Sequence, residues 1–254
     1  MQKLSYLEVA LKAVKEAEAI INKYYSNDIK ATLKPDQSPV TVADQEAESV
    51  IRKIIKDNYP DHNILGEEEG ESKNNSSFTW VIDPIDGTKN FMRKIPLFAT
   101  QLALIKDGKV ILGISNAPVL GELVYAEKGK GAYLNDKKIS VSNVNILDKS
   151  YMSYGGLGYF DKEGLLDTLL QLNRDTLAHR GFGDFWSYHL LAQGKIDIVL
   201  EAKTKFWDIA ALSLIVGEAG GKVTNLQGHA VSMSTTSVIA TNGSLHSLVA
   251  NYFD

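Results

Sequence analysis

Apolar residues recur at helical spacing in the first quarter of the chain, and this pattern predicts two amphipathic helices. The first follows Ser5 and Glu8, which fit a capping box. The second follows Thr41, a suitable N-cap, and should end near Pro60. The turn-rich segment 34–39 between the two helices is expected to be an exposed loop.

Runs of apolar and β-branched residues in the middle of the chain predict a mostly antiparallel sheet. Residues 98–105 and 109–115 form two such runs, and the turn 106–108 between them indicates a hairpin. Two further runs, 121–126 and 131–134, are each bracketed by Gly, Asn, Asp or Lys. This section should therefore contribute several neighbouring strands to one sheet.

Helical and strand patterns alternate in the last hundred or so residues. They predict, in order, a strand with a glycine break at 151–156, a helix at 165–173, a helix ending near Gly194, a strand at 196–200, a nearly all-apolar helix at 209–219, a strand at 237–241 and a final helix reaching Tyr252. No repeat, low-complexity segment or decisive linker divides the chain. One large domain or two closely joined lobes are both possible, and we take residues 1–254 as a single domain.

Composition and charge narrow the functional classes. The chain has 254 residues, of which 44% are hydrophobic and 23% are charged, as in a soluble globular protein. Its net charge of −4 gives no indication of a nucleic-acid partner, so small-molecule chemistry is favoured. Cysteine is absent, which excludes disulfides, thiolate metal sites and cysteine nucleophiles. No signal-peptide pattern or membrane-spanning apolar run is found, so no membrane association and a cytoplasmic location are expected.

The stretch with the clearest chemistry is an apolar run that ends in two acids. Residues 80–82 lead into Asp83 and Asp86, which flank a proline. The proline should prevent regular helix or sheet continuation there and bend the backbone so that both carboxylates can face one point. Gly87 would let the backbone approach a ligand, and Thr88 opens a segment whose free amides could receive a phosphate. The alternative is an acidic turn in which both aspartates act only as caps.

Further acids lie at the ends of other predicted elements. Asp44 falls in the first turn of the second helix, where a favourable interaction with the helix dipole is the simpler explanation. The run 67–69 crowds three negative charges, which either a bound cation or solvent could neutralise; a mobile loop is expected at 71–77. Glu201 and Asp208 follow a strand and open a buried helix, where an acid is either a cap or a ligand.

Carboxylates without nearby cysteine or paired histidine indicate a hard cation. Oxygen ligands of this kind suit Mg²⁺ or Mn²⁺ rather than zinc. The histidines form no ligand-spaced pair and are expected to be surface or packing residues: His62, His179, His189, His229 and His246.

Three motifs in this order resemble those of the inositol monophosphatase family of magnesium-dependent, lithium-sensitive phosphatases. They are Gly66-Glu67-Glu68, the segment Asp83-Pro84-Ile85-Asp86-Gly87-Thr88, and Trp207-Asp208-Ile209-Ala210-Ala211. The resemblance extends from segment 38–44 to segment 218–221. It implies the layered αβαβα sandwich shared with fructose-1,6-bisphosphatase, an α/β (α+β) fold that is usually assembled as a homodimer. It also implies a metal- and phosphate-binding lobe at about 1–145 and a substrate-binding lobe at about 146–254.

The resemblance also implies roles for individual residues. Glu67, Asp83 and the Ile85 carbonyl should hold one Mg²⁺, while Asp83, Asp86 and Asp208 should hold a second. A weaker third ion is expected near Glu67, and Mn²⁺ is a possible substitute. The resemblance assigns Thr88, supported by Asp44 and with Glu67 nearby, to orienting or deprotonating the attacking water. It assigns phosphate binding to Asp86 and the amides of Gly87 and Thr88.

The segment 180–188 bears on the substrate, a small phosphorylated metabolite. It resembles the histidinol-phosphate phosphatase branch of the family, in which acids can pair with a cationic amino alcohol. Asp184 and Glu201 are expected to meet the ammonium or imidazole of histidinol, with Arg180 and Asp208 also at the substrate. The alternative is that Asp184 only caps its helix and Trp186 only packs.

The sequence leaves other functions open. Inositol-1-phosphate or a related sugar phosphate would suit the same metal centre, because Glu201 matches a family position that contacts inositol hydroxyls. A nucleotide 3′,5′-bisphosphate or NADP would need a larger base pocket and more basic residues. A non-catalytic binding protein is the remaining class, and the complete set of expected acids argues against it. The leading hypothesis is a phosphomonoesterase of histidine biosynthesis.

Overall fold

Two large sheets and the helices that cover them make up the computed structural model, which describes residues 4–27, 31–34 and 39–253. The helices are α1 (Tyr6–Tyr25), α2 (Val42–Asn58), α3 (Thr88–Met92), α4 (Leu157–Lys162), α5 (Leu166–Asp175), α6 (Asp184–Ala192), α7 (Phe206–Glu218) and α8 (His246–Ala250). None of the helices within these ranges is long and apolar enough to cross a membrane.

The strands follow the chain in a simple order. They are β1 (Ala31–Leu33), β2 (Pro39–Thr41), β3 (Asn63–Gly66), β4 (Gly70–Ser72), β5 (Phe78–Asp86), β6 (Ala99–Lys106), β7 (Lys109–Ala117), β8 (Glu122–Glu127), β9 (Gly131–Leu134), β10 (Lys137–Ile139), β11 (Tyr151–Tyr154), β12 (Ala178–Arg180), β13 (Ile198–Glu201), β14 (Lys222–Thr224) and β15 (Val238–Thr241). Strands β1 and β2 form a small antiparallel pair.

The eight-stranded sheet has the order β10-β9-β8-β7-β6-β5-β3-β4. It is antiparallel except where β3 runs parallel to β5, so the predicted antiparallel middle of the chain is confirmed with one exception. The five-stranded sheet has the order β12-β11-β13-β15-β14, in which β11 runs parallel to both of its neighbours.

Burial places these elements in five layers. Helices α1 and α2 cover one face of the eight-stranded sheet through Ala13, Ile51, Trp80 and Leu102, all buried. Helices α6 and α7 lie between the two sheets, where Gly113 on β7 leaves no space for a Cβ because it would lie 2.5 Å from the Ala211 carbonyl oxygen. Helices α4, α5 and α8 cover the outer face of the five-stranded sheet. This order confirms the predicted αβαβα sandwich.

Local capping explains where the two long N-terminal helices begin. Ser5 and Glu8 form the predicted capping box at α1, and Thr41 and Asp44 form another at α2. Of the segment 34–39, residues 35–38 lie outside the described residues. The expectation of an exposed loop is wrong for Pro39, which is buried because it begins β2.

One prediction about the chain near the acids is confirmed and another is wrong. Pro84 interrupts the regular sheet as expected: β5 runs on to Asp86, but its register against β6 shifts between Asp83 and Asp86. A bulge accommodates the proline because the missing N–H falls where regular pairing is already interrupted. Segment 71–77 is not entirely a loop, since β4 pairs with β3, and Asn63 Oδ1 accepts a hydrogen bond from the Asn74 amide at 2.7 Å.

Several elements were too short to leave a periodic signal in the sequence. Helix α4 and strands β10, β12 and β14 each contain six residues or fewer, and none was predicted. Their positions depend on pairing with distant strands or on packing over the second sheet, which a local pattern does not report.

Candidate active site

Most of the predicted acids line one open pocket at the end of β5, although Asp44 and Glu201 do not border it. Its volume is about 320 Å³, and it is bordered by these predicted residues: Glu67, Asp83, Ile85, Asp86, Gly87, Thr88, Asp184 and Asp208. A larger and mainly apolar groove of about 1170 Å³ lies elsewhere, bordered by Val110, Val231 and Met233. Because the described lining of that groove contains no predicted site residue, the smaller acidic pocket is the candidate site.

Asp44 is held by its helix cap and also contacts Thr88, which borders the pocket. Its Oδ2 accepts hydrogen bonds from the Thr41 amide at 2.7 Å and the Thr41 hydroxyl at 2.5 Å. Its Oδ1 lies 3.5 Å from the Thr88 hydroxyl, which also contacts the Ile85 carbonyl at 3.0 Å. The capping explanation is therefore correct for one oxygen, while the other faces Thr88. Burial raises the pKa of Asp44 to about 6.

Asp83 and Asp86 lie on the two sides of the β5 bulge, and both are buried. Asp83 Oδ1 accepts from the Ile85 amide at 3.0 Å, and Asp86 Oδ2 accepts from Gln101 Nε2 at 3.3 Å. Burial raises the pKa of Asp83 well above its usual range, and the negative charges of Glu67 and Asp86 add to the effect. The pKa of Asp86 is raised in the same way, first by burial and then by neighbouring acids.

Gly87 forms the sharp turn between β5 and α3. Its φ of 90° is in the left-handed region, and a Cβ would lie 2.7 Å from the Leu97 carbonyl oxygen, so only glycine fits. The Gly87 carbonyl accepts from the amides of Asn90 and Phe91. The first amides of α3 have no partner within the helix and border the pocket, where they can bind an anion.

Glu67 and Glu68 follow β3 and share one ammonium group. Lys34 Nζ lies 2.9 Å from Glu67 and 2.7 Å from Glu68. Burial alone would lower the pKa of Lys34, but hydrogen bonds to both glutamates outweigh it and raise the pKa. Burial raises the pKa of Glu68 to about 7. Nothing in the sequence pattern had indicated this lysine.

Asp208 lies in the first turn of α7, as predicted. Its Oδ2 accepts from the Lys205 amide at 2.8 Å and from the Thr204 hydroxyl at 3.1 Å. Burial raises the pKa of Asp208 to about 7, and the charge of Glu67 contributes. The helix behind Asp208 is buried between the sheets, which fixes the acid at the rim of the pocket.

The donor set fits a hard divalent cation. Acids gathered in a buried pocket with mutually raised pKa values are stabilised by positive charge, and oxygen ligands favour Mg²⁺ or Mn²⁺. Within residues 4–27, 31–34 and 39–253, however, no three acidic or histidine side chains are arranged to hold one ion as they stand. Lys34 neutralises Glu67 in this arrangement.

Glu201 and Asp184 approach from the side of the second sheet. Glu201 ends β13 and is buried, and its Oε1 has no hydrogen-bond partner among the described residues. Gly155 makes room for it, because a Cβ there would lie 1.8 Å from Glu201 Oε2. Both acids border a second cavity of about 50 Å³ together with Tyr188, whose buried hydroxyl likewise lacks a partner in the described ranges.

Asp184 adopts an unusual backbone conformation at the mouth of the pocket. Its φ of 46° is in the left-handed region, which is uncommon for a residue other than glycine. Its carboxylate lies 3.5 Å from Asn90 Nδ2 on α3. The residue is exposed, yet protein atoms surround it closely enough that the loss of solvation raises its pKa. It therefore connects the phosphate-side helix with the second sheet.

Arg180 does not join the other predicted residues. It is exposed at the end of β12, donates through Nη1 to the His179 carbonyl at 2.6 Å, and lies 6.0 Å from the centre of the Tyr151 ring. It borders neither cavity. Trp186 packs edge-on against Phe182 at 5.0 Å, as the packing alternative proposed.

The histidines do not contribute to the pocket. His62 stacks between Tyr59 and Phe78, with ring centres 4.7 Å and 4.6 Å away. His189 is buried, with Nδ1 2.8 Å from Glu122 and Nε2 2.7 Å from Ser115. The prediction that histidines serve packing is confirmed for these two residues.

Glu48 is a residue that the sequence reasoning missed. It is fully buried on α2 and accepts hydrogen bonds from two amides of the turn that carries Glu67. The available signal was its spacing, since it lies four residues after Asp44 and hence on the same helix face.

Known proteins are similar to this chain along most of its length. The sequence profile described as the inositol monophosphatase family matches residues 2–254. A histidinol-phosphatase from Mycobacterium tuberculosis is 39% identical over 86% of this chain and 86% of its own length. An inositol monophosphatase from Dictyostelium discoideum is 37% identical over 93% and 90% of the two chains. The solved structure of extragenic suppressor protein SuhB from Bartonella henselae has a TM-score of 0.90 at 29% identity, covering 98% of each chain.

Proposed function

The chain belongs to the inositol monophosphatase family and is a phosphoric monoester hydrolase, and we propose that its preferred substrate is L-histidinol phosphate, hydrolysed with Mg²⁺. The observation that carries the proposal is the unpaired, buried carboxylate oxygen of Glu201 beside Asp184. A relative named histidinol-phosphatase at 39% identity supports it. The proposal includes a homodimer and a cytoplasmic location, which stay predictions.

The proposed cation ligands are Glu67, Asp83, the Ile85 carbonyl, Asp86 and Asp208. All border the same pocket, and their mutual repulsion favours binding of two to three Mg²⁺ ions, with Mn²⁺ as a substitute. Bound divalent cations supply charge neutralisation of phosphate oxygens and lower the pKa of an attacking water.

The remaining catalytic work is assigned to the chain's own groups. The Thr88 hydroxyl lies 3.0 Å from the Ile85 carbonyl and 3.5 Å from Asp44 Oδ1. With that carbonyl bound to a cation, the hydroxyl would donate to Asp44, and its oxygen would accept a proton of the attacking water and so orient it. Glu67 lies nearby at the same rim. The amides of Gly87 and Thr88, together with Asp86, are proposed to place the phosphate at the start of α3.

The organic part of the substrate would then extend toward the second sheet. Asp184 stands next to α3 through Asn90, and Glu201 lies deeper, bordering the same small cavity. A cationic amino alcohol could make a charge-assisted hydrogen bond to the free oxygen of Glu201, whereas a neutral polyol could offer only a weaker hydroxyl hydrogen bond. That difference is proposed to discriminate between the two substrates.

Inositol-1-phosphate is the second candidate. The 37% identical relative named inositol monophosphatase supports it, and inositol hydroxyls could also donate to Glu201. The organic parts of the two candidates differ in charge. Because only the amino alcohol is cationic, only it would pair with both Glu201 and the exposed Asp184. The cation and phosphate chemistry would be the same for both.

Phosphate release from a panel of esters tests the proposal. The panel contains L-histidinol phosphate, inositol-1-phosphate, fructose-1,6-bisphosphate, NADP and adenosine 3′,5′-bisphosphate, with Mg²⁺ present and Asp83→Asn as the blank. We expect kcat/KM for histidinol phosphate to exceed every other value by about a hundredfold, equivalent to about 2.7 kcal/mol of transition-state discrimination. A profile led by inositol-1-phosphate would reject the substrate, and no release from any ester would reject the hydrolase.

A further inference from the structure

A buried ion pair lies on α2 beyond the pocket. Glu48 is 0% exposed and Arg52 is 4% exposed, and Arg52 Nε donates to Glu48 Oε1 at 2.7 Å. Removing two charges from water costs free energy, and the attraction between the charges seldom recovers much more than that cost. Stability alone is therefore a weak explanation for this pair.

The pair holds the turn that follows β3. Glu48 Oε2 accepts from the Glu68 amide at 2.8 Å, and Oε1 accepts from the Glu69 amide at 3.0 Å. Arg52 donates through Nη2 to the Gly70 carbonyl at the far end of the same turn. One carboxylate and one guanidinium thus satisfy three successive residues directly after Glu67.

Gly66 provides the space for this arrangement. A Cβ at this position would lie 1.9 Å from Glu48 Oε1 and 2.7 Å from Arg52 Nη2. The side chains of Glu48 and Arg52 therefore occupy the space that a side chain at position 66 would fill. Displacement of the Glu48 carboxylate would release the amides on which the conformation of the turn depends.

The same face of α2 also carries Asp44. Asp44, Glu48 and Arg52 recur at intervals of four residues, so they lie in one buried row along the helix. The first contacts Thr88, and the other two hold the turn of Glu67. A single rigid helix thereby sets the distance between the groups proposed to orient water and a proposed cation ligand.

We propose that Glu48 and Arg52 are positioning residues that hold Glu67 in its cation-binding place and so set the affinity for the divalent cation. This inference rests on the proposed function, because it requires Glu67 to be a cation ligand. Groups that orient ligands through a second layer of hydrogen bonds commonly change metal affinity by about ten- to a hundredfold when removed.

The test compares Glu48→Gln with the full-length wild type. The side-chain amide of the variant would place an N–H donor against a backbone N–H donor, and it would remove the nearer of the two carboxylates beside Arg52, leaving Glu69 at 3.5 Å. We expect the Kd for Mn²⁺, measured calorimetrically without substrate, to rise about tenfold or more, whereas kcat at saturating Mg²⁺ changes less than about threefold. Amide hydrogen exchange in segment 67–70 should accelerate in the absence of metal.

Asp57→Asn is the matched control, since it removes the acid of an exposed i,i+4 pair with Lys53 on the same helix. It should bind Mn²⁺ as the wild type does. The inference would be overturned if a folded Glu48→Gln variant bound Mn²⁺ as tightly as the wild type and its amide hydrogen exchange were either unchanged at 67–70 or accelerated throughout the chain. If Glu48→Gln does not fold, Arg52→Lys takes its place. The same loss of Mn²⁺ affinity is expected, and wild-type affinity in that variant would likewise overturn the inference. Failure of the wild type itself to bind Mn²⁺ would instead reject the proposed function.

Discussion

The acids at and around the pocket include two groups that differ in how the protein holds them. Asp44, Asp83 and Asp208 each accept a hydrogen bond from a backbone amide within three residues of themselves. Glu201 has an oxygen without a partner in the described part of the chain, and Asp184 has a left-handed backbone conformation. The first group is fixed by local structure, whereas in the second Glu201 has an oxygen that a ligand could pair with and Asp184 has only a long contact to Asn90.

This difference indicates a division of labour. Locally fixed acids keep their positions whichever ester is bound, which suits cation and phosphate chemistry common to a family. Acids left unpaired impose a penalty that only a suitable ligand removes, which suits selection between esters. The central claim is that the first group determines whether hydrolysis occurs and the second determines which ester is hydrolysed.

The largest effect is expected from a change in the first group. Asp83→Asn should lower kcat/KM about a thousandfold or more for every ester alike, because a neutral amide is a poor ligand for a hard cation. The measurement is phosphate release at saturating Mg²⁺, with Asp57→Asn as the control. A variant that lost activity toward only one ester would break the comparison.

The second expected effect concerns His246, a buried titratable side chain that, unlike Glu201, has hydrogen-bond partners. His246 Nε2 lies 3.0 Å from Thr224 and Nδ1 lies 3.2 Å from Thr241. Burial lowers its pKa to about 4, with the charge of Lys222 contributing. Because an unfolded histidine has a pKa near 6.5, the unfolded state binds the proton first, and stability is lost as pH falls from about 6.5 toward 4.

Urea unfolding between pH 7.5 and 4.5 measures this loss. The wild type should lose about 2 kcal/mol of unfolding free energy more than His246→Asn over this range. An identical pH dependence in the two proteins would contradict the assignment. Confirmation would show that His246 acts on stability, whereas Glu201 is expected to act on substrate choice.

The third prediction disturbs the second group through its neighbour. In Gly155→Ala the new methyl group would overlap Glu201 Oε2, so the carboxylate must move. We expect about a tenfold loss of kcat/KM for histidinol phosphate and a smaller loss for inositol-1-phosphate. Gly158→Ala is the matched control, since a Cβ there meets nothing within 4 Å. Equal losses for both esters would argue against a selective role for Glu201.

The smallest expected effect separates capping from chemistry. Thr41→Ala removes the α2 cap and should lower the unfolding free energy by about 1 kcal/mol. It should also reduce kcat, because Asp44 loses the hydroxyl that orients it. Ser5→Ala removes the equivalent cap of α1, far from the pocket, and should cost similar stability without reducing kcat. Equal kcat values in the two variants would make Thr41 purely structural.

The two groups also differ in how far the sequence alone predicted them. The geometry of two pairs depends only on residues close in sequence: Thr41 with Asp44, and Gly87 with Thr88. The structure shows both pairs as the sequence indicated. The β5 bulge was not predicted, because its register depends on β6 across the sheet. Lys34 and Tyr188 are brought to the site by tertiary packing, which leaves no local pattern. Arg180 was expected there on resemblance, and the structure has it on Tyr151 instead.

The most direct test of the division of labour is the ratio of kcat/KM for L-histidinol phosphate to that for inositol-1-phosphate, measured with Mg²⁺ in the wild type and in Glu201→Gln. We predict a ratio of about one hundred in the wild type, falling to within about threefold of unity in the variant. Hydrolysis of inositol-1-phosphate should change less than about tenfold. A wild-type ratio near one, or a ratio that Glu201→Gln leaves unchanged, would contradict the account.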